Sequence, residues 1–244
     1  MTQDIYDPAY VAGLFDRCSA NYRRWSVVAS FGLIHVWRRA CAKALPASPA
    51  PRIIDLMAGT GEVWPHLLRR FPDATITAID ISHRMHVDAL TRLHLTYSDR
   101  ITHIEANALT TPLPDGIADM VVSTFGLKTF DTAQQTVLAA RIAQILRPGG
   151  SFSLIEASDP KGWILRPLYR FYLDRVLPRI EAVFLQGAQD FSMIGSYTSN
   201  FGDCSHFASA LRAQGLTVTQ KSHVFGCATA VFGTKPIAPQ DQQP

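Results

Sequence analysis

Two carboxylates and two glycines at fixed spacing carry the clearest chemical signal in this 244-residue chain. Asp55 follows the apolar pair Ile53-Ile54, and Gly59-Thr60-Gly61 comes four residues later. A second apolar run, Ala78-Ile79, ends at Asp80-Ile81. Glycines without a Cβ let backbone amides approach a ligand closely. An acid at a strand end, a glycine turn and a second acid at the next strand end describe a nucleotide-type cofactor lying across the carboxyl ends of parallel strands. Asp80 stands where a short carboxylate accepts hydrogen bonds from both hydroxyls of a ribose. A dinucleotide would need a third glycine, so that its pyrophosphate rests on a helix N-terminus. Here Gly61 is followed by Glu62-Val63-Trp64, which puts an acid where a phosphate would be repelled. A cationic, phosphate-free cofactor suits such a loop.

The elements that must hold these residues alternate. The reading gives strands at 52–57, 75–80, 101–105, 118–125 and 151–156, with helices at 62–71, 82–97 and 131–146 between them. Arg147-Pro148-Gly149-Gly150 is read as the stop after the third of these helices. Such alternation implies a mostly parallel sheet with helices on both faces. Before it, the pattern is helical from Pro8 to about Leu45 and is broken by three prolines between Pro46 and Pro51. This gives an N-terminal helical cap over 1–46 and a main domain over 52–236. A helical insertion is expected at about 160–200, and a helix near 203–214 is followed by apolar runs at 216–224 and 227–234. Residues 237–244 read as a polar tail.

Composition narrows the functional classes. A formal charge of +3, with no basic stripe, disfavours nucleic acid as a partner. The four cysteines are scattered without a C-x-x-C pair, which argues against a structural zinc site or a disulfide framework. His83 and His86 lie three apart on a predicted helix with no carboxylate at ligand spacing, so no metal is expected. There is no signal-peptide pattern and no apolar run of about 18 residues. A soluble, reduced, cytoplasmic protein is the expectation.

The turn Asp55-x3-Gly59-Thr60-Gly61 resembles motif I of the class I S-adenosylmethionine-dependent methyltransferases, whose cofactor is cationic and carries no phosphate. Other stretches are narrower: Ser30-Phe31-Gly32-Leu33-Ile34-His35-Val36-Trp37-Arg38-Arg39, Asn107-Ala108, Thr124-Phe125-Gly126-Leu127-Lys128, Glu156-Ala157-Ser158-Asp159-Pro160 and Leu177-Pro178-Arg179-Ile180. In this order they resemble the ubiquinone/menaquinone-biosynthesis C-methyltransferase family from about Phe15 to Thr234. The resemblance implies a Rossmann-like class I methyltransferase fold, with a mostly parallel seven-stranded sheet and an antiparallel C-terminal hairpin. It implies S-adenosylmethionine as cofactor, with contacts at Thr60, Asp80, Asn107, Ala108 and Thr124. Asp55, Gly59 and Gly61 of the turn, and Ile81 beside Asp80, complete the expected cofactor set. Three departures stand out. Met57 replaces the usual first glycine of the motif, Tyr22-Arg23 replaces a Tyr-Asp pair, and Lys128-Thr129 replaces an Arg-Asn pair. They point to a relative acting on another phenol, quinone or prenylated metabolite.

Methyl transfer from a sulfonium is an in-line displacement in which the protein aligns the nucleophile and excludes water. Attack by a ring carbon is helped by a neighbouring phenolate, and a Lys, Tyr or His can assist the proton transfers. The candidates are Tyr22, Lys128 and His35; the competing readings are a packing residue, a solvated loop charge and a helix-surface side chain, respectively. Carbon is the expected site of attack and oxygen the alternative, with a cofactor-binding scaffold as a third reading. The expected acceptor is a small apolar aromatic, quinone-like or prenylated molecule. Trp163, Ile164, Leu168, Tyr169, Phe171 and Tyr172 give the insertion more apolar surface than one buried stripe needs. A lid over a hydrophobic substrate, a homodimer interface and a peripheral membrane contact are its three readings.

Overall fold

A computed structural model describes residues 4–184 and 193–237. The segment 185–192 of the expected insertion and the tail beyond 237 lie outside the described residues. Seven strands form one sheet in the order β3-β2-β1-β4-β5-β7-β6. They are β1 (Arg52–Leu56), β2 (Thr75–Asp80), β3 (Ile101–Glu105), β4 (Ala118–Thr124), β5 (Leu146–Ala157), β6 (Thr217–His223) and β7 (Ala228–Thr234). The first five pair in parallel, while β7 runs antiparallel to β5 and β6. This is the expected class I architecture. The strand order reverses between β1 and β4, and a sheet of this type binds its ligand at that switch point.

The helices cover both faces because the central strands are apolar on both sides. On one face Ile54, Leu56, Val121 and Leu154 pack with Leu138 and Ile142 of α5 (Thr132–Ile145) and Phe207 and Leu211 of α9 (Ser205–Ala213). On the other, Ile53, Ile76, Met120 and Val122 meet Trp64 and Leu67 of α3 (Trp64–Arg70) and Ala89 of α4 (His83–Tyr97). Alternate residues of one strand therefore serve opposite layers.

One local reading gains detail and another is corrected. The helical pattern from 8 to 45 resolves into two helices, α1 (Pro8–Ala29) and α2 (Leu33–Ala44). Phe31 (φ 49°) and Gly32 (φ 78°) take left-handed backbone between them, and Ser30 Oγ accepts from the Ile34 amide at 3.2 Å across the break. Periodicity continues through the break, which is why it was invisible as a boundary. The correction concerns Arg147-Pro148-Gly149-Gly150, which lies within β5 instead of before it. Pairing jumps from Ala118↔Leu146 to Met120↔Ser151, so the extra residues bulge out, with Gly149 at φ 76°.

Three further helices, α6 (Arg166–Phe171), α7 (Leu177–Phe184) and α8 (Met193–Phe201), form the described part of the insertion. Leu173, Leu177 and Tyr197 pack against Leu14, Cys18 and Trp25 of α1, in a cluster separate from the sheet layers.

The ends of β1 and β4 are in tight contact. Met57 has the left-handed backbone (φ 54°) that the motif's glycine would take, and its side chain lies against Gly126. A Cβ on Gly126 would stand 2.4 Å from the Met57 Cβ. Gly126→Ala is therefore expected to lower the unfolding free energy in urea by about 1–3 kcal/mol. The same change in a Met57→Gly background is expected to cost much less; equal costs in both backgrounds would show that the two residues are not coupled.

Candidate active site

The carboxyl ends of β1, β2 and β4 open into a cavity that, with the solvent-open space at its mouth, spans about 820 Å³. Gly59, Thr60, Asp80, Ile81, Asn107, Ala108 and Thr124 line it, so seven of the nine residues expected at the cofactor come together. Asp80, at the end of β2, organises the wall. One carboxylate oxygen accepts from the Gly59 amide at 2.7 Å and the other from the Ser82 amide at 2.8 Å. Burial pushes its pKa up to about 6, against the pull of these backbone donors. Gly59 takes φ 55°, and no atom lies within 4 Å of where its Cβ would be. Asn107 uses its Oδ1 to accept from the Leu109 amide at 2.9 Å, which leaves its amide NH2 for a ligand.

The other two expected residues, Asp55 and Gly61, sit behind this wall. Asp55 is buried and accepts from Trp64 Nε1 at 2.7 Å, while its second oxygen has no hydrogen-bond partner. Burial is the main cause that pushes its pKa up to about 8, with the Asp80 charge adding and the Trp64 bond opposing. Gly61, at φ 73°, lies under the Trp64 ring, where a Cβ would come within 2.5 Å.

A second, larger cavity of about 1520 Å³ lies against the first. Its walls come from α1, α2 and the insertion, among them Trp25, Leu33, Trp37, Trp163, Leu168 and Tyr172. Tyr22 and Phe125 line both cavities. Burial raises the Tyr22 pKa, and the charges of Lys128 and Arg38 pull it back. Lys128 reaches the second cavity from the turn after β4. Its Nζ lies 2.8 Å from both Glu156 Oε1 and the Phe125 carbonyl, and its amide donates to Glu156 Oε2 at 3.0 Å. The Lys128–Glu156 ion pair is thus buried, not solvated. His35 is exposed on α2 and lines neither cavity.

Sequence reasoning missed Arg38, Glu62 and Phe125, all of which line the first cavity. Arg38 falls at helical spacing with Ile34, Trp37 and Cys41, all buried on α2. A cation on the apolar face of a helix was the available signal. Glu62 is held by Arg92 at 2.6 Å and faces Arg38 at 3.8 Å. Among the described residues, no group of three His, Cys, Asp or Glu side chains is placed to hold a metal.

A family model described as the ubiE/COQ5 methyltransferase family matches residues 3–235. The chain belongs to that family. It is 33% identical over 175 residues to the ubiquinone/menaquinone biosynthesis C-methyltransferase UbiE of Syntrophotalea carbinolica, covering 72% of this chain and 73% of that protein. It is 27% identical over 229 residues to the demethylmenaquinone methyltransferase of Lactiplantibacillus plantarum, covering 92% and 95%. The fold is shared with human N-acetylserotonin methyltransferase in complex with S-adenosylmethionine (TM-score 0.58, 22% identity, 90% of this chain and 59% of that one). It is also shared with an S-adenosylmethionine-dependent methyltransferase from Aquifex aeolicus (TM-score 0.57, 12% identity, 87% and 97%). As a member of this family, the chain is an S-adenosylmethionine-dependent methyltransferase. The first cavity suits that cofactor, since it combines an open glycine edge at Gly59, a carboxylate for ribose hydroxyls at Asp80 and a buried cation at Arg38.

The raised Asp55 pKa gives a pH dependence of defined sign. Between the ordinary value of 3.8 and about 8, the folded state holds a proton that the unfolded state has released. Stability therefore falls as pH rises through this window and levels off above it. Asp55→Asn keeps an oxygen for Trp64 and has no proton to lose. Its unfolding free energy is expected to decline less than that of the parent between pH 6 and 8, the upper part of the window. Parallel curves would show that Asp55 is ionised throughout.

Proposed function

We propose that the enzyme methylates a ring carbon of an apolar, quinol-like acceptor held in the second cavity. The observation that carries this reading is the shared wall. Tyr22 and Phe125 separate a cofactor cavity with charged side chains from a larger, mainly apolar one, and Lys128 lines the larger one with its Nζ bonded to the Phe125 carbonyl. The names of the two relatives, a ubiquinone/menaquinone C-methyltransferase and a demethylmenaquinone methyltransferase, support the acceptor class.

When bound, S-adenosylmethionine supplies an electrophilic methyl group on a sulfonium. The raised pKa keeps Tyr22 a phenol at neutral pH, so it acts as a hydrogen-bond donor and not as a base. Lys128, oriented by Glu156, brings a positive charge to a cavity that has few other polar groups. Together they stabilise the phenolate that the acceptor forms by losing its phenolic proton to water, which enriches the ring carbons beside it. The ring proton that the incoming methyl replaces also leaves to water, because neither Tyr22 nor Lys128 acts as a base here. An oxygen engaged by two donors is also a poorer nucleophile, which favours carbon over oxygen. Thr60, Asp80, Asn107, Ala108 and Thr124 hold the cofactor in this reading; His35 has no part in it.

The test incubates the protein with S-adenosylmethionine and a short-chain demethylated hydroquinone, and locates the new methyl group by mass spectrometry and NMR. A carbon-bound methyl is expected. Tyr22→Phe and Lys128→Met should each lower kcat by about 10²-fold or more while cofactor binding persists, whereas Asp80→Ala should lose cofactor binding. A methyl on oxygen, or binding without turnover on any hydroquinone or phenol, would overturn the reading.

The mouth of the second cavity favours a bilayer as the source of acceptor. Phe31 is 78% exposed at its rim, and Ile164 (87%) and Phe225 (72%) stand nearby. Phe225 stacks on Trp163, a wall residue of the cavity, at 5.3 Å. Phe31, Val224 and Phe225 hold left-handed backbone, a conformation that costs energy and places apolar side chains at the rim. Between 160 and 184 the insertion carries five basic residues against two acidic ones, a charge that suits anionic lipid. The protein is expected to sediment with phosphatidylglycerol vesicles, and an Ile164→Asp, Phe225→Asp double variant to remain in the supernatant with its activity on a water-soluble hydroquinone intact. Equal sedimentation of both proteins, or a dimer that the double variant converts to monomer, would overturn the bilayer contact.

A further inference from the structure

Arg38 enters the cofactor cavity from α2 on the side where β4 ends, across the switch point from Asp80 on β2. Its side chain is 2% exposed, yet Nε and Nη1 have no hydrogen-bond partner. Glu62 comes no closer than 3.8 Å, beyond hydrogen-bond reach, and is drawn more tightly to Arg92. The Phe125 ring lies 5.8 Å from the guanidinium, a cation–π contact that uses no N–H group. Buried donors of a charged group are costly to leave unpaired. Nε and Nη1 lie on opposite edges of the guanidinium, so each is a separate unpaired donor of a buried cation in the wall of a ligand cavity, and an anionic acceptor such as a carboxylate would satisfy either through a charge-assisted hydrogen bond.

We propose that Arg38 forms a carboxylate subsite that binds the α-carboxylate of S-adenosylmethionine. The proposal rests on the cofactor reading above and assigns the orientation of the ligand within it. The carboxylate is the only anionic group of that cofactor. Asp80 accepts from hydroxyls, and Asn107 and Ala108 face the heterocycle, so the amino-acid end points towards α2. There Glu62 would repel the carboxylate if Arg38 did not stand between them. Arg38 also borders Tyr22, whose phenol feels its charge, so the subsite lies next to the acceptor wall.

The test compares equilibrium binding of S-adenosylmethionine and its decarboxylated form, which differ only in the carboxylate. The parent protein is expected to prefer the complete cofactor by roughly 10- to 100-fold, the range for hydrogen bonds to a charged group. In Arg38→Met that preference should fall to near unity through weaker binding of the complete cofactor, with the decarboxylated form bound as before. Arg38→Gln, which keeps a polar end, should behave alike and serves if the Met variant does not fold. A preference that survives in a folded variant would overturn the subsite. So would an equal loss of both ligands, because it would mark Arg38 as a packing residue. Failure of the parent protein to bind either ligand would instead overturn the cofactor reading itself.

Discussion

Two backbone N–H groups converge on the carboxylate of Asp80, and the rest of the site depends on that convergence. One comes from the glycine turn after β1, the other from the turn that starts α4 after β2. A single side chain therefore fixes the relative position of two loops that would otherwise be independent. Each carboxylate oxygen spends one lone pair on backbone and keeps capacity for a ligand. The burial that makes the bonds strong also raises the pKa to about 6, so the group is ionised at neutral pH with a narrow margin.

The structure places several charges close to apolar surface and handles each differently. Lys128 and Glu156 are engaged with one another and with backbone, with one of the three Nζ hydrogens left over. Removing either would leave the other stranded at a cost of about 3–5 kcal/mol, the range for breaking a buried pair. Glu62 has two cations near it, and Asp55 meets a single indole donor. The Lys128–Glu156 pair is the one of these that borders the second cavity.

Much of this was legible in the sequence, for identifiable reasons. Strand positions followed from apolar runs ending in acids or turns, and the cofactor wall followed from spacing between Asp55, Gly59 and Asp80. These are local signals. The break at Phe31-Gly32 was hidden because apolar periodicity runs through it, although Gly32 was in plain view. The Pro-Gly-Gly stretch was read as a terminator because a bulge in a strand has the same composition as a helix stop. Arg38 was passed over because a charged residue in a helix is ordinarily read as solvated; its place among Ile34, Trp37 and Cys41 contradicted that reading. The surroundings of Lys128 were beyond reach, since Glu156 is 28 residues away and meets it through the adjacency of β4 and β5.

The wall formed by Tyr22 and Phe125 has a kinetic meaning. The two cavities meet at these side chains and otherwise have different lining residues, the first from the strand ends with Phe15 and Arg38 of the cap helices, the second from other residues of α1 and α2 and from the insertion. With the proposed acceptor in the second cavity, the spent nucleoside would be free to leave while the product is still seated, and a fresh donor to enter beside it. Such a layout needs no compulsory order of addition or release.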